Sequence, residues 1–293
     1  MNIYDCFMYF DEDLLLDLRL NILDKYVKKF VITESTFLHS GKEKKLNFDI
    51  KNFSKFKDKI IYIVVDTPPP GIETVQLEDT NLIKNKKILD NSLKRENNQR
   101  NKLIGGLKRA SDEDVILSSD LDEIPDLSRF KFKNKITLFE QKVFYYKFNL
   151  MQPNFYWMGT RACKKIQLKG FQWLRNIKSK SYPIWRLDVL FSKKKYTNIE
   201  IVKNGGWHFT SIKKPKDIYY KLSNFMHHLE FEYSGLTLKD MEKMVTEKKI
   251  LYDHNAKQEQ AKYTGRQSLI KVENSLLPSY INKNANKYSD WLE

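Results

Sequence analysis

The sequence predicts an α/β protein: a Rossmann-like mixed sheet flanked by helices, with a C-terminal helical extension. Three observations carry this. Short apolar runs rich in β-branched and aromatic residues alternate with helical stripes through roughly residues 1–130. One such run, Val115-Ile116-Leu117, empties into an acidic turn, Ser119-Asp120-Leu121-Asp122-Glu123-Ile124-Pro125. The helix leading into that run carries polar residues in the middle of its buried stripe. Open α/β sheets bind ligands beyond the carboxyl ends of their strands, so the last two observations point to a site as well as a fold.

Residues 3–10 are apolar and aromatic and predict a buried first strand. Asp11 or Asp13 then caps a helix reaching about Tyr26, with Leu15, Leu18, Ile22 and Tyr26 on one stripe. Arg19 falls on that stripe, and an arginine is seldom buried without an acid, so a structural ion pair is expected. Residues 30–33 and 60–65 predict the second and third strands, ending at Glu34-Ser35-Thr36 and at Asp66-Thr67 before three prolines. The next helix is expected over about residues 91–110. Leu93, Asn97, Arg100, Ile104 and Leu107 step by 4, 3, 4 and 3 along one narrow, core-facing stripe. Arg100 buried there must meet an anion, either a protein carboxylate or a bound ligand. Residues 135–139 and 143–148 alternate like paired strands. Helices with solvated charged faces are expected over about residues 216–229 and 239–252, and a C-terminal helix packed by aromatics over about residues 277–291.

The chain has 293 residues, of which 41% are apolar and 13% aromatic, enough for a substantial core. Lys+Arg 52 against Asp+Glu 37 gives a net charge of +15. Such a balance suits a polyanionic partner: nucleic acid, an anionic membrane surface or a phosphate-bearing substrate. No basic run exceeds three residues, which favours a dispersed basic surface over a duplex-binding patch. Cys6 and Cys163 form neither a disulfide framework nor a metal spacing, as in a reducing compartment. No signal segment and no apolar run of ~18 residues is present. A soluble cytoplasmic protein is expected, peripheral contact with an anionic inner membrane face being one use for its charge.

Where the chain stays extended, residues i and i+2 face one side, so Asp120 and Asp122 can aim at one point beyond the strand. Two such carboxylates repel unless a shared proton or a cation compensates, and Mg²⁺ or Mn²⁺ is the simplest cation with oxygen ligands. A cap or turn is the alternative, because Asp is common in both. Gly205-Gly206-Trp207-His208-Phe209 is the second compact signal. Paired glycines admit close backbone approach, and His208 can serve a metal, a phosphate oxygen or the structure. The aromatics Phe155-Tyr156-Trp157, Trp173, Tyr182 and Trp185 suit stacking on sugars or bases, or core packing.

In their order along the chain, these segments resemble the family-17 glycosyltransferases, whose best-known members add the bisecting N-acetylglucosamine to N-glycans. The matching stretches are Tyr4-Asp5-Cys6-Phe7, Glu34-Ser35-Thr36-Phe37 with Ser40-Gly41-Lys42, and Arg95-Glu96-Asn97 with Gln99-Arg100. The acidic turn, Phe144-Tyr145 with Gln152-Pro153, Gly206-Trp207-His208-Phe209, and Leu277-Pro278-Ser279-Tyr280 with Asn284 complete the set. The resemblance implies a single GT-A-type domain over residues 1–293, with a nucleotide-binding half (about 1–130) and an acceptor-binding half with C-terminal helices (about 131–293). It implies metal-dependent, inverting transfer of a sugar, N-acetylglucosamine above all, from a UDP-sugar to a glycan, lipopolysaccharide or other carbohydrate acceptor.

Mn²⁺ or Mg²⁺ would be held by Asp122 and Asp120, with His208 as a further ligand or phosphate contact and Glu123 in the catalytic set. Glu34, Ser35, Asn97 and Arg100 would line the nucleotide pocket. Inversion by direct displacement needs a carboxylate near the acceptor hydroxyl. Asp188, between the acidic turn and the Gly-Trp-His block, is the expected base, with Glu230 and Glu232 as rivals. The animal members carry an N-terminal membrane anchor and work in a lumenal setting. This sequence starts at the first catalytic-domain strand, so a compact cytoplasmic relative is expected and the N-glycan acceptor does not carry over.

Two other classes compete. A single-stranded nucleic-acid-binding protein would use the +15 charge and the aromatics, but clustered carboxylates repel phosphates, and no specific nucleic acid is expected. A metal-dependent phosphoryl-transfer enzyme would use the same Asp pair. Many of those place it after their first strand, whereas here it follows several elements.

Overall fold

The structure, a computed structural model, describes residues 1–133, 135–183, 185–253, 262–265 and 267–293. Its strands are β1 (Ile3–Met8), β2 (Lys29–Ser35), β3 (Ile60–Val65), β4 (Val115–Asp120), β5 (Glu123–Pro125), β6 (Ile136–Tyr145), β7 (Leu150–Lys164), β8 (Ile199–Val202), β9 (Gly206–Thr210) and β10 (Ile270–Lys271). Its helices are α1 (Asp13–Leu23), α2 (Asn81–Lys102), α3 (Phe171–Asn176), α4 (Leu187–Leu190), α5 (Pro215–Leu222), α6 (His228–Ser234), α7 (Leu238–Thr246) and α8 (Ser279–Lys283). The strands form one mixed sheet in the order β3-β2-β1-β4-β7-β6-β9-β5, with β8 on β6 and β10 on β7. The expected α/β class and mixed sheet are observed.

The four strands β3-β2-β1-β4 are parallel. From β1 the chain moves outward through β2 and β3, then returns to β4 on the other side of β1. Its direction of winding therefore switches between β1 and β4, where Met8 faces Asp120 in register at the carboxyl ends. Such a switch leaves a crevice, because the connections on either side depart in opposite directions. The strands beside it are buried nearly throughout, as parallel sheets covered on both faces must be.

The main core packs Leu16, Leu20 and Leu23 of α1 with Phe7 and Phe30 of the sheet and with Ile281 and Tyr288 of the C-terminal segment. The tail thus folds back onto the first helix, packed by aromatics as expected. It does so as α8 followed by a 3-10 turn at Ala285–Trp291, not as one long helix.

Several expectations are corrected. Helix α2 begins at Asn81, where Thr80 caps it by accepting from the Ile83 amide (3.4 Å). The stripe expected to be buried is so only in part: Arg100 and Leu107 are buried, but Leu93 and Ile104 are 42% and 50% exposed. The buried positions are Asn91, Ser92, Gln99 and Arg100, followed by Leu103 and Leu107 of a 3-10 turn at Leu103–Leu107. Tightening to three residues per turn after Lys102 changes the phase of the stripe, so one α-helical wheel cannot describe both parts. Residues 135–148 are not a hairpin. They contribute the single strand β6, which pairs antiparallel with β7, and Phe155-Tyr156-Trp157 lies inside β7. The helix expected over residues 216–229 is divided into α5 and α6.

The close approach expected at the paired glycines occurs where β9 meets β5. Gly206 has φ +140°, and a Cβ there would stand 2.2 Å from the Ile124 carbonyl oxygen, so no other residue fits this contact.

Candidate active site

Strand β4 ends at Asp120, Leu121 and Asp122 turn, and Glu123 re-enters the sheet in β5 opposite His208. The two-residue alternation of an extended chain stops at Asp120, and the two aspartates face different partners. The turn is held from beneath by Arg19. Its guanidinium is wholly buried, pairs with both Asp5 oxygens (2.8 and 2.6 Å) and donates to the carbonyls of Asp120 (3.2 Å), Leu121 (3.1 Å) and Glu123 (2.7 Å). The acid partner expected for Arg19 is therefore Asp5, and the same cation fixes the backbone of the acidic turn.

Asp120 is claimed by two arginines: Oδ1 accepts from Arg100 (3.1 Å) and Oδ2 from Arg175 of α3 (2.7 Å). Burial alone would raise its pKa, but Arg175 and Arg100 outweigh it and hold the carboxyl well below the usual range. Glu123, fully buried, accepts from Arg175 (2.7 and 2.8 Å), the Trp157 indole (2.6 Å) and the Asp120 amide (2.9 Å). Arg100 completes its fork on Glu96 (2.7 Å) and Gln172 (2.6 Å). The anion it meets is a protein carboxylate.

Asp122 stands apart from this network. Its Oδ1 lies 3.6 Å from His208 Nε2, too far for a hydrogen bond. His208 is 8% exposed, its ring packs on Trp157 (centroids 5.5 Å), and its Nδ1 is buried with no hydrogen-bond partner among the described residues. Burial would lower the pKa of the ring, but Asp122, Glu123 and Asp120 together raise it. Beyond Asp122, Glu12 pairs with Lys221 (2.8 Å) and Asp11 with Lys213 (2.5 Å), tying the β1–α1 loop to α5 and its approach. Lys221 was expected on a solvated face. It is instead half-buried and paired with Glu12, and the charges of Glu12 and Asp122 offset the desolvation of its ammonium.

The donor chemistry bears on the expected cation. Both Asp120 oxygens are occupied by guanidinium groups, so Asp120 does not fit as a ligand in this arrangement. Asp122 and His208 can fit: their donor atoms stand 3.6 Å apart, and closing to the ~3.0 Å of adjacent ligands about 2.1 Å from an octahedral ion takes only a small side-chain shift. Among the described residues no group of three or more His, Cys, Asp or Glu could hold a metal. A two-donor site of this kind suits a hard ion that takes its other oxygens from substrate phosphates and water.

The residues expected around a nucleotide fall into two groups. Glu34 and Ser35 are buried anchors. Glu34 accepts from Lys44, the Asn47 and Phe48 amides (2.7 and 3.1 Å) and the Tyr62 hydroxyl (2.8 Å), fixing the loop after β2. Ser35 donates to the Val65 carbonyl (3.1 Å). Asn97 and Arg100 lie on α2, and the Asn97 side-chain oxygen is buried without a hydrogen-bond partner among the described residues.

Beside them a cavity of about 630 Å³ opens at the carboxyl ends of β2 and β3, lined by Thr36, Lys44, Asp66, Pro68 and Arg95. Gly41 shapes its wall. With φ +99° it lets the Arg95 guanidinium lie where a Cβ would be 2.7 Å away.

Asp188 lies on α4, exposed, bound by Arg186 (2.8 Å) and Lys195 (2.6 Å). Those two cations push its pKa down to about 2, which weakens it as a proton acceptor. Glu232 is exposed on α6. Glu230, on the same helix, accepts from Lys262 (3.0 Å), and its buried Oε2 makes no hydrogen bond among the described residues. His227, just before α6, lies 3.6 Å from Glu230 Oε1, and the Tyr233 hydroxyl ties the helix to Asn85 of α2 (2.9 Å).

Arg175, Glu96 and Lys221 complete the site and were not singled out for it from the sequence. A cation inside the apolar frame Phe171-Gln172-Trp173-Leu174-Arg175 was the one available hint for Arg175.

The fold and this cleft define an α/β protein with a charge-paired candidate site at the switch point of its parallel strands. The sequence profile of Glycosyltransferase family 17 matches residues 1–292, and the chain belongs to that family. It is a glycosyltransferase, a class that works between a nucleotide-sugar donor and a carbohydrate acceptor. Among curated proteins none matches the chain. Among the described residues no helix is long and apolar enough to cross a membrane.

Proposed function

We propose that the chain is a GT-A-type, inverting transferase that moves N-acetylglucosamine from its UDP donor to a glycan or lipopolysaccharide acceptor with Mn²⁺ or Mg²⁺. The observation that carries this reading is the Asp122–His208 pair at the switch point: the two side chains stand 3.6 Å apart, and His208 Nδ1 is buried with no hydrogen-bond partner among the described residues. The cavity between β2, β3 and α2 takes the nucleoside, with the Asp66 carboxylate and the Arg95 guanidinium offering an acceptor and a donor to the base and ribose. A divalent cation held by Asp122 and His208 supplies neutralising charge where the diphosphate departs.

Asp120 and Glu123 act one step back. They hold Arg100 and Arg175 in fixed positions beside the crevice, so those guanidinium groups need no reorganisation when an anionic donor arrives. Glu230 is the base. Its buried Oε2 makes no hydrogen bond among the described residues, whereas Asp188 is pinned by two cations at the surface.

The test is a thermal-shift screen of UDP-, GDP- and ADP-sugars with Mn²⁺ or with EDTA, since a ligand of the native state raises its stability. UDP-N-acetylglucosamine with Mn²⁺ should give the largest rise. Equal stabilisation in EDTA removes the cation, a larger rise with a GDP-sugar replaces the donor, and no rise with any sugar nucleotide overturns the reading.

A further inference from the structure

Between β7 and β8 the chain makes an excursion whose surface has no role in the transferase reading. It is pinned at its base, where the Lys178 amide donates to the Lys194 carbonyl (2.7 Å) and the Tyr182 amide to the Tyr196 carbonyl (3.2 Å). The Trp173 indole adds a bond to the Tyr196 hydroxyl (2.9 Å). Tyr182 and Val189 turn inward, and Lys180, Arg186 and Lys195 stand 5.1–5.7 Å from the Tyr182 ring. The excursion therefore has its own small interior.

Its outward side chains are the opposite of what solvent favours. Trp185, Leu187 and Phe191 are 80%, 72% and 89% exposed, three large apolar groups within seven residues. Single exposed apolar residues need no explanation, but a cluster of this kind marks a contact surface. Six basic residues and one acid, Asp188, lie between residues 178 and 196, and Asp188 is already bound by Arg186 and Lys195. Lys178, Lys180, Lys193 and Lys194 are exposed around the apolar cluster.

We propose that this excursion seats on an anionic lipid bilayer, with Trp185, Leu187 and Phe191 entering the headgroup boundary while Lys178, Lys180, Lys193 and Lys194 meet lipid phosphates. The chemistry of the two rings of residues selects this partner. Lysines near an anionic leaflet are attracted electrostatically, and Trp and Phe lodge at the boundary between headgroup and acyl chain. A nucleic acid would use the lysines and the two aromatic faces, but Leu187 offers nothing to stack on. The excursion begins just after α3, which carries Arg175 to Asp120 and Glu123, so seating it brings the cleft to the membrane surface.

The full chain is tested by co-sedimentation with vesicles of phosphatidylcholine alone and of equal parts phosphatidylcholine and phosphatidylglycerol, at low and high salt. Binding is expected to the mixed vesicles only and to fall with salt. The Trp185→Ser/Phe191→Ser variant should bind about tenfold more weakly or worse with an unchanged melting temperature, as should Lys193→Glu/Lys194→Glu. Absence of wild-type binding to mixed vesicles at low salt overturns the proposal. So does either variant binding as wild type does, which puts the contact elsewhere. A concentration-dependent dimer on ultracentrifugation that the Trp185→Ser/Phe191→Ser variant loses assigns the surface to a second copy instead. Stabilisation by sugar nucleotides, measured on the same variants, reports on the transferase reading separately and should not change.

Discussion

Two acid–base pairs flank the switch point, and they are built in opposite ways. Asp5 and Arg19 are sealed from solvent, meet through two short bonds, and spend the rest of the guanidinium on three carbonyls of the acidic turn. Asp122 and His208 are also largely buried, yet stand 3.6 Å apart with one imidazole nitrogen unpartnered among the described residues. A buried polar group left unsatisfied costs free energy, so folding alone would not favour the second arrangement. The first pair is architecture. The second leaves its donors open, which is why the proposed cation is assigned to it. The motif divides likewise, because Asp120 and Glu123 belong with the saturated kind and Asp122 with the open kind.

The comparison breaks most visibly at Arg19. Arg19→Ala strands the Asp5 carboxylate and frees the turn, and should cost about 3–5 kcal/mol in chemical denaturation. A loss under about 1 kcal/mol would show that the pair is not a keystone. Glu230→Gln tests the second under-satisfied carboxylate: kcat should fall about 10²–10⁴-fold while donor affinity is kept. Full activity would return the role of base to another residue. Asp122→Asn should lower transfer about 10²–10³-fold with little change in stability, the reverse of Arg19→Ala. Equal loss of stability in both variants would erase the distinction between the pairs.

The smallest effect is in acid. Burial by itself would raise the pKa of Glu12, but Lys221 and Lys213 overcome it and bring the group down to about 2. A depressed carboxyl stabilises the fold above its unfolded value of about 4.3 and loses that contribution as pH falls toward its folded value. Melting temperature should therefore decline between about pH 4.3 and 2, and Glu12→Gln should flatten that limb. An unaltered limb in the variant would place the acid sensitivity elsewhere, Asp120 being the next candidate by the same sign.

The parallel half was readable because its signals are local. Strand β3 spans the residues its apolar run predicted, and β1, β2 and β4 lie within a few residues of theirs, since strands covered on both faces need unbroken hydrophobic runs. The antiparallel half was less legible: β6 and β7 read as several shorter pieces because their pairing includes register shifts that no sequence period records.

The acidic turn, the Gly-Trp-His block and the need of Arg19 and Arg100 for anions are written in the chain itself, because residue chemistry and spacing suffice to raise them. Which carboxylate is already taken could be decided only by the folded molecule. Arg175 reaches Glu123 across 52 residues and Asp120 across 55, and Lys221 reaches Glu12 from the far side of the cleft. Pairings over such distances follow from where sheet and helices set the backbone, and local periodicity carries no record of them.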